Sequence, residues 1–254
     1  MPLKRNVPTT TKPLKQNRRI AAGQPVHNLL LLRIPQKEFI ALKPHLQFVN
    51  LENAVCLERE GSHIDTVYFM NRGIGSMIVE TPGGKSVEVG VAGREDMIGL
   101  QVAAGLDEFT HSVVVQVPGD GFRLKASALK HLLPCLPELS KLLLRRLAIH
   151  SVELAQNAAC NRLHNVKQRL ARWLLLTHDR LDSNLIRTTH DFLSKLVGTD
   201  RPTVTLAVAE LERDRIIQRG RASISINNRR KLEKQACECY SVFRSFNAEL
   251  ELRT

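Results

Sequence analysis

Aromatic side chains are scarce in this chain: 4% of 254 residues, with one tryptophan and two tyrosines. That scarcity argues against a binder of single-stranded nucleic acid, which stacks bases on aromatic rings. No apolar run approaches the roughly 20 residues of a helical membrane span. The sequence has no phosphate-cradling glycine loop, no metal-ligand cluster at regular spacing and no G-x-S-x-G nucleophile motif. Enzyme classes built on those motifs are therefore unsupported, and no catalytic residue is expected. Cysteine is absent from the first 50 residues; the five stand at Cys56, Cys135, Cys160, Cys237 and Cys239. An odd count without an export signal fits a reducing cytoplasm rather than a disulfide framework.

Acidic residues are also short in supply, 25 against 37 Lys and Arg, which leaves a formal net charge of +12. Between Arg145 and Arg230 there are 16 Lys or Arg against 8 Asp or Glu. Such a field draws in a polyanion and makes its affinity fall steeply with salt. With aromatics scarce, duplex DNA is the expected partner. Residues 1–24 begin MPLKRNVPTTTKPLKQNRR, with six Lys or Arg and no acid, and read as a disordered basic tail.

The most informative stretch is Thr188–Ile226. Thr188-x-x-Asp191 reads as a capping box that opens a helix, on which Phe192, Leu193, Leu196 and Val197 form one apolar face. Gly198 stands where a helix ends in a left-handed residue. Asp200 is placed to cap a second helix with Pro202 in its first turn, and Val204, Val208 and Leu211 recur as its buried stripe. Arg201, Pro202, Thr203, Leu206 and Ala209 are left facing outward, with Thr205 at the edge. Apart from Arg201 these side chains are compact, so the face can lie close to another surface, as major-groove reading requires. Ile216–Arg219 and Ser223–Ile226, joined at Arg219-Gly220-Arg221, read as a hairpin with cations at its tip, a wing against a phosphate backbone. Spacing alone leaves open an ordinary helical pair with a surface hairpin.

The segments RLARWLLLTHDR, THDFLSKLVGTDRPTVTLAVAELERDRII, the Arg-Gly of the hairpin and the terminal ACECY lie within Gln168–Tyr240. Together they resemble the C-terminal half of Crp–Fnr-type bacterial transcription regulators. Arg201 is then the leading base reader, since an arginine can bridge guanine O6 and N7. Thr203 and Thr205 are adaptable readers or phosphate anchors, and Thr189, Thr199 and Arg221 are expected phosphate contacts. Pro202 stands where the family commonly has glutamate, and Leu206 where it has a second arginine, so the operator should differ; Leu206 suits a thymine methyl.

From Leu46 to about Leu124, short β-prone pieces (AVCLE, TVYFM, GSMIVET, SVEVGVA, HSVVVQV) alternate with turns at Glu60-Gly61, Asn71-Arg72-Gly73, Pro82-Gly83-Gly84 and Pro118-Gly119. This spacing predicts an antiparallel sandwich or barrel, preceded by one or two short helices in Val26–Pro44. VYFMNRGIGSMIVE and GREDMIGLQ resemble the double-stranded β-helix, or β-roll, of cyclic-nucleotide-binding sensor domains. The family's nucleotide binders carry a glutamate just after a D-x-I-G turn and an Arg-Ser or Arg-Thr for the phosphate. Here Asp96-Met97-Ile98-Gly99 is followed by Leu100, and Thr110 or His111 precedes Ser112. Both anchors are missing, so cyclic AMP is not the expected signal, and the ligand stays unknown. An iron–sulfur cluster is not expected either, for lack of N-terminal cysteines. Cys237-x-Cys239 alone does not complete a tetrahedral site, so no metal is assigned.

Leu132–His164 contains an uninterrupted helical run after Pro137. Leu136, Leu139, Leu143, Leu147, His150, Leu154, Asn157, Asn161 and His164 share one seam. A helix on its own β-roll or an intermolecular coiled coil would explain the leucine half; the resemblance implies the latter, a homodimer. Asn165–His178 follows as a scaffold helix with Trp173 in its core and Arg169 and Arg172 toward solvent.

The expected architecture is thus α+β: a β-roll over 25–131, a dimerisation helix over 132–164 and a winged helix-turn-helix over 165–254. It implies a regulator that binds a near-palindromic site through Asp200–Leu211 and has RNA polymerase as a partner. The rival reading is a ligand-binding or protein-interaction module of the same fold that no longer binds DNA.

Overall fold

The computed structural model describes residues 18–252 apart from 21, 22, 85 and 182, and of 247–252 the backbone only. Helices α1 (Leu29–Arg33) and α2 (Gln36–Leu42) lead into the first lobe. Asn28 caps α1, and its side-chain amide donates to the carbonyls of Met70 and Asp96 at 2.7 and 2.8 Å. Most of the basic N-terminal stretch lies outside the described residues, but Arg18 and Ile20 correct the expectation of a tail reaching to residue 24: both are buried. The Arg18 guanidinium donates to the carbonyls of Leu31 and Ile34 and lies over the Phe39 ring, which satisfies a charge that would otherwise be costly to bury.

A six-stranded antiparallel sheet forms the roll, built from β1 (Gln47–Leu51), β2 (Cys56–Glu58), β3 (Thr66–Glu80), β4 (Ser86–Ala92), β5 (Met97–Ile98) and β6 (Ser112–Lys125). Its spine is the β3–β6 ribbon, which runs from Thr66 opposite Lys125 to Ile78 opposite Ser112. The expected turns at Asn71-Arg72-Gly73 and Pro118-Gly119 are instead irregularities within these two strands. The register shifts there, as bulges do where a ribbon must bend. Gly73, at φ +86, and Gly119 meet backbone to backbone; a Cβ on Gly119 would lie 2.2 Å from the Arg72 carbonyl oxygen.

The chain then passes through α3 (Ala126–Leu132) into the 27-residue α4 (Pro137–Leu163), which Pro137 opens. Most of the seam drawn along this helix faces its own chain, although Leu154 is exposed. Leu136, Leu139 and Leu143 are fully buried in the core formed by the roll and the first helices. His150 and Asn157 are buried and hydrogen-bonded within the chain, and His164 pairs with Glu238. A leucine stripe follows whichever apolar surface is nearest, and here the roll supplies it.

After a break at His164 comes α5 (Val166–Arg180), opened by a capping box between Asn165 and Gln168. It anchors the second lobe, with Leu170, Trp173 and Leu174 in the core. Arg169 and Arg172 are buried rather than solvated, because their side of α5 faces the end of α4 and the C-terminal helix. The remaining elements are β7 (Leu185–Arg187), α6 (His190–Leu196), α7 (Arg201–Arg213), β8 (Ile217–Gly220), β9 (Ser223–Ile226), α8 (Arg229–Gln235) and α9 (Cys239–Leu252). Strand β7 pairs with β9, so the expected hairpin is a three-stranded sheet in the order β7-β9-β8.

Candidate nucleic-acid interface and sensor pocket

The helix pair α6–α7 takes its shape from local chemistry. Thr189, not Thr188, caps α6: its hydroxyl oxygen accepts from the Phe192 N–H at 3.1 Å, while Thr188 is buried one residue earlier. Gly198 takes φ +62 at the turn, as a left-handed terminator should, and a Cβ there would stand 3.3 Å from Val87 of the roll. Asp200 caps α7, accepting from the Thr203 N–H at 2.8 Å and from the Thr203 hydroxyl at 3.0 Å. These hydrogen bonds hold the exposed Asp200 carboxyl below its usual value. Val204, Val208 and Leu211 are fully buried, joined by Ala207.

On the opposite face Arg201 and Pro202 are exposed and Leu206 keeps 67% of its surface, so these three do come together outward. Thr203 and Thr205 are half-buried and partly committed. The Thr205 hydroxyl donates to the Arg201 carbonyl at 2.9 Å, and its oxygen lies 3.1 Å from His190 Nδ1 on α6. Thr199 sits half-buried in the turn. Thr189 is exposed but lines a cleft of about 390 Å³ shared with Asn53, Gln116 and Pro118 of the roll, which sets it apart from the α7 face. In the hairpin the turn falls at Arg221-Ala222, with Ala222 at φ 51, rather than at Gly220. Arg221 is exposed at that tip, whereas Arg219 is tied to Glu212 of α7 by its backbone N–H and its guanidinium.

Inside the roll lies a cavity of about 220 Å³ bounded by Glu58, Gly99, Leu100, Gln101, Thr110, His111 and the α4 residues Leu147, His150 and Leu154. The positions compared above with nucleotide anchors therefore do line a pocket. Burial pushes the Glu58 carboxyl up to about 8 against a hydrogen bond from the Gly99 backbone. One of its oxygens has no hydrogen-bond partner among the described residues. Burial, then the neighbouring His150, lowers His111 to about 4. At neutral pH both groups are uncharged, so neither offers the fixed cation that a phosphate requires.

Beside this pocket is a buried charge network that sequence reasoning missed. Asp96 is wholly buried; Arg146 of α4 holds both its oxygens, His150 Nε2 lies 2.8 Å from Oδ1, and Arg146 reaches Glu153 at 3.0 Å. Burial alone would raise the Asp96 carboxyl, but Arg146 and His150 outweigh it and hold it well below the usual carboxylate range. The adjacent Glu95 pairs with Arg180 of α5 at 2.7 Å. One turn, Gly93–Gly99, thus touches the pocket, the long helix and the second lobe. Only the pairing of D-x-I-G with a cationic helix face could have signalled it.

Sequence reasoning also kept the thiols apart. In the structure Cys160 and His164, at the end of α4, meet Cys237 and Cys239.

Residues 168–235 match the family described as a Crp-like helix-turn-helix domain. Among solved structures, FixK2 from Bradyrhizobium japonicum superposes with a TM-score of 0.66 at 15% identity, over 76% of this chain and 98% of that one. The c-di-GMP-responsive global regulator CLP of Xanthomonas campestris gives 0.61 at 16%, over 75% and 96%. A Crp/Fnr family transcriptional regulator of Thermus thermophilus gives 0.61 at 20%, over 75% and 98%. No curated protein matches the chain in sequence.

Proposed function

Starting from a Crp-like helix-turn-helix carried on the fold of Crp/Fnr regulators, we propose that this protein is a sequence-specific, DNA-binding transcription regulator that acts as a cytoplasmic homodimer. The observation that carries this reading is the outward face of α7, where Arg201, Pro202 and the 67% exposed Leu206 stand together above a buried Val204–Val208–Leu211 stripe. An apolar side chain left that open on a slim helix, beside an arginine with no ion pair among the described residues, suits a base-edge surface better than a solvated one. Arg201 reads guanine and Leu206 a thymine methyl. Thr203 and Thr205 position the helix, Arg221 and Thr199 contact phosphates, and Thr189 joins them once its cleft against the roll widens.

The dimer seam lies on a different face of α4 from the one expected. Leu144, Ala148, Val152, Ala155, Ala159 and Leu163 are exposed at steps of three and four. A stripe this small and apolar lets a second α4 approach closely. Two recognition helices would then address major grooves about 34 Å apart on a near-palindromic site. RNA polymerase is the partner that a regulator so placed would meet.

The signal is not cyclic AMP in this reading: the roll cavity pairs an uncharged Glu58 with an uncharged His111 and a buried Leu100. A ligand seated there touches His150 and the turn that carries Asp96, and so favours one setting of α4 over another; that is a population shift. Footprinting on the promoter regions nearest the protein's own gene, with and without competitor DNA, tests the proposal. Protection of a two-fold site that survives competitor supports it, whereas protection that competitor abolishes everywhere leaves a module without operator recognition. Tight, specific cyclic AMP uptake in a calorimeter would overturn the exclusion of that signal.

A further inference from the structure

Four ligand atoms converge where the long helix ends. Cys160 lies in the last turn of α4 and His164 caps its end, its backbone N–H donating to the Cys160 carbonyl at 3.1 Å; Cys237 and Cys239 flank Glu238 in the link that enters α9. Cys160 Sγ lies 3.5 Å from Cys237 Sγ, and Cys239 Sγ lies 3.7 Å from His164 Nδ1. All four donor atoms fall within 4.8 Å of one another. A tetrahedral ion with metal–sulfur bonds of about 2.3 Å has sulfur–sulfur edges of about 3.8 Å, so these separations are close to those of a formed site. The three sulfurs are buried and His164 is half-buried.

The surroundings are those of a ligand set. The Glu238 carboxylate lies 3.1 Å from His164 Nε2, where it accepts that ring N–H and leaves Nδ1 bare toward the sulfurs. Gln156 donates to Cys239 Sγ at 3.0 Å. Three thiolates, one imidazole and a dication carry a net charge of −1. Arg172 and Arg169, buried on the facing side of α5, are placed to offset it, and the Nε of each has no hydrogen-bond partner among the described residues.

We propose that Cys160, His164, Cys237 and Cys239 bind one zinc ion, which ties α9 to the end of α4 across the break at His164–Asn165. Three thiolates and an imidazole in a tetrahedral array select zinc among common divalent ions. Because α9 follows the helix-turn-helix and α4 belongs to the sensor lobe, the ion sets the angle between them. The binding claim does not depend on the protein's being a DNA-binding regulator.

The test uses the reduced full-length protein. Metal analysis is expected to find one zinc per chain, and cobalt added to the stripped protein should give intense sulfur-to-cobalt charge-transfer bands with the visible bands of a tetrahedral site. Cys237→Ser should abolish them. Glu238→Gln, which removes no ligand, should weaken zinc in competition with a chromogenic chelator by about 10–100-fold without changing the circular dichroism. Reduced wild-type protein that takes up neither metal overturns the proposal, as does cobalt bound without thiolate bands. Recovery of a metal-free Cys160–Cys237 disulfide that returns no site after reduction overturns it too.

Discussion

Arg201 illustrates what one side chain is asked to do. It is the first residue of α7, held outward by the Asp200 cap, and it makes no ion pair among the described residues. Arg201→Ala is expected to weaken binding to the cognate site by about 1–3 kcal/mol and to relax preference at a single base pair. Gel-shift titration against a panel of single-base operator variants measures both, and an equal loss on random DNA would reassign Arg201 to a phosphate. Gly198 carries a second residue-scale expectation. Alanine there must adopt φ +62 and bring its Cβ to 3.3 Å from Val87. Gly198→Ala should therefore cost about 1–2 kcal/mol in urea unfolding, while asparagine, which tolerates the left-handed region better, should cost less. Alanine as stable as glycine would contradict the strain argument. Both residues were legible in the sequence, because caps and left-handed terminators are decided within a few residues of themselves. Thr188 and Thr189 show the grain of that legibility: two adjacent threonines can cap equally well, and only packing decides which is buried.

Elements were legible where their partner is local and misread where it is remote. The α7 stripe is as its spacing demands. On α4 the same kind of reasoning found a helix and a leucine seam but could not say whose apolar surface would meet it. In the structure Leu139 and Leu143 are inside the roll's own core, and the stripe through Ala148, Ala155 and Ala159 is exposed, which is why the proposed dimer seam is drawn there. Ala155→Glu should accordingly yield a monomer in analytical ultracentrifugation with an unchanged melting profile, whereas Leu139→Glu should unfold the sensor lobe. A persistent Ala155→Glu dimer would place the seam elsewhere. Glycines misled for a related reason: Gly73 and Gly119 signal either a turn or a bulge, and the choice depends on the pairing of two strands far apart in the chain. The cysteine–histidine cluster was beyond reach for the same cause, since Cys160 and Cys237 lie 77 residues apart.

At the scale of the whole molecule, buried carboxyls give stability a pH dependence with two limbs. Glu58 and Glu88 are pushed by burial to about 8 and about 7. Unfolded, each would release its proton near pH 4.3. Their contribution is complete below that point and is lost as pH rises through the folded values, so urea midpoints should fall between pH 5 and roughly pH 8. Asp96 works in the opposite sense. Its depressed folded value means that its contribution is present above about pH 3.9 and disappears on strong acidification. Maximum stability is expected on the mildly acidic side of neutrality. Glu58→Gln should shrink the alkaline loss; an unaltered slope would mean that this carboxyl is ionised in the folded protein. The 27-residue α4 also fixes a scale of motion. From the Asp96 contact at Arg146 to its end, such a rod is about 25 Å long, and turning it by about 8° swings its far tip by about 3.5 Å. One base step along a DNA strand is about 3.4 Å. If the protein binds DNA as proposed, a small disturbance around Asp96 would put a recognition helix a full nucleotide out of phase with its site, and the useful stroke of this helix would be set by the ruler of the duplex.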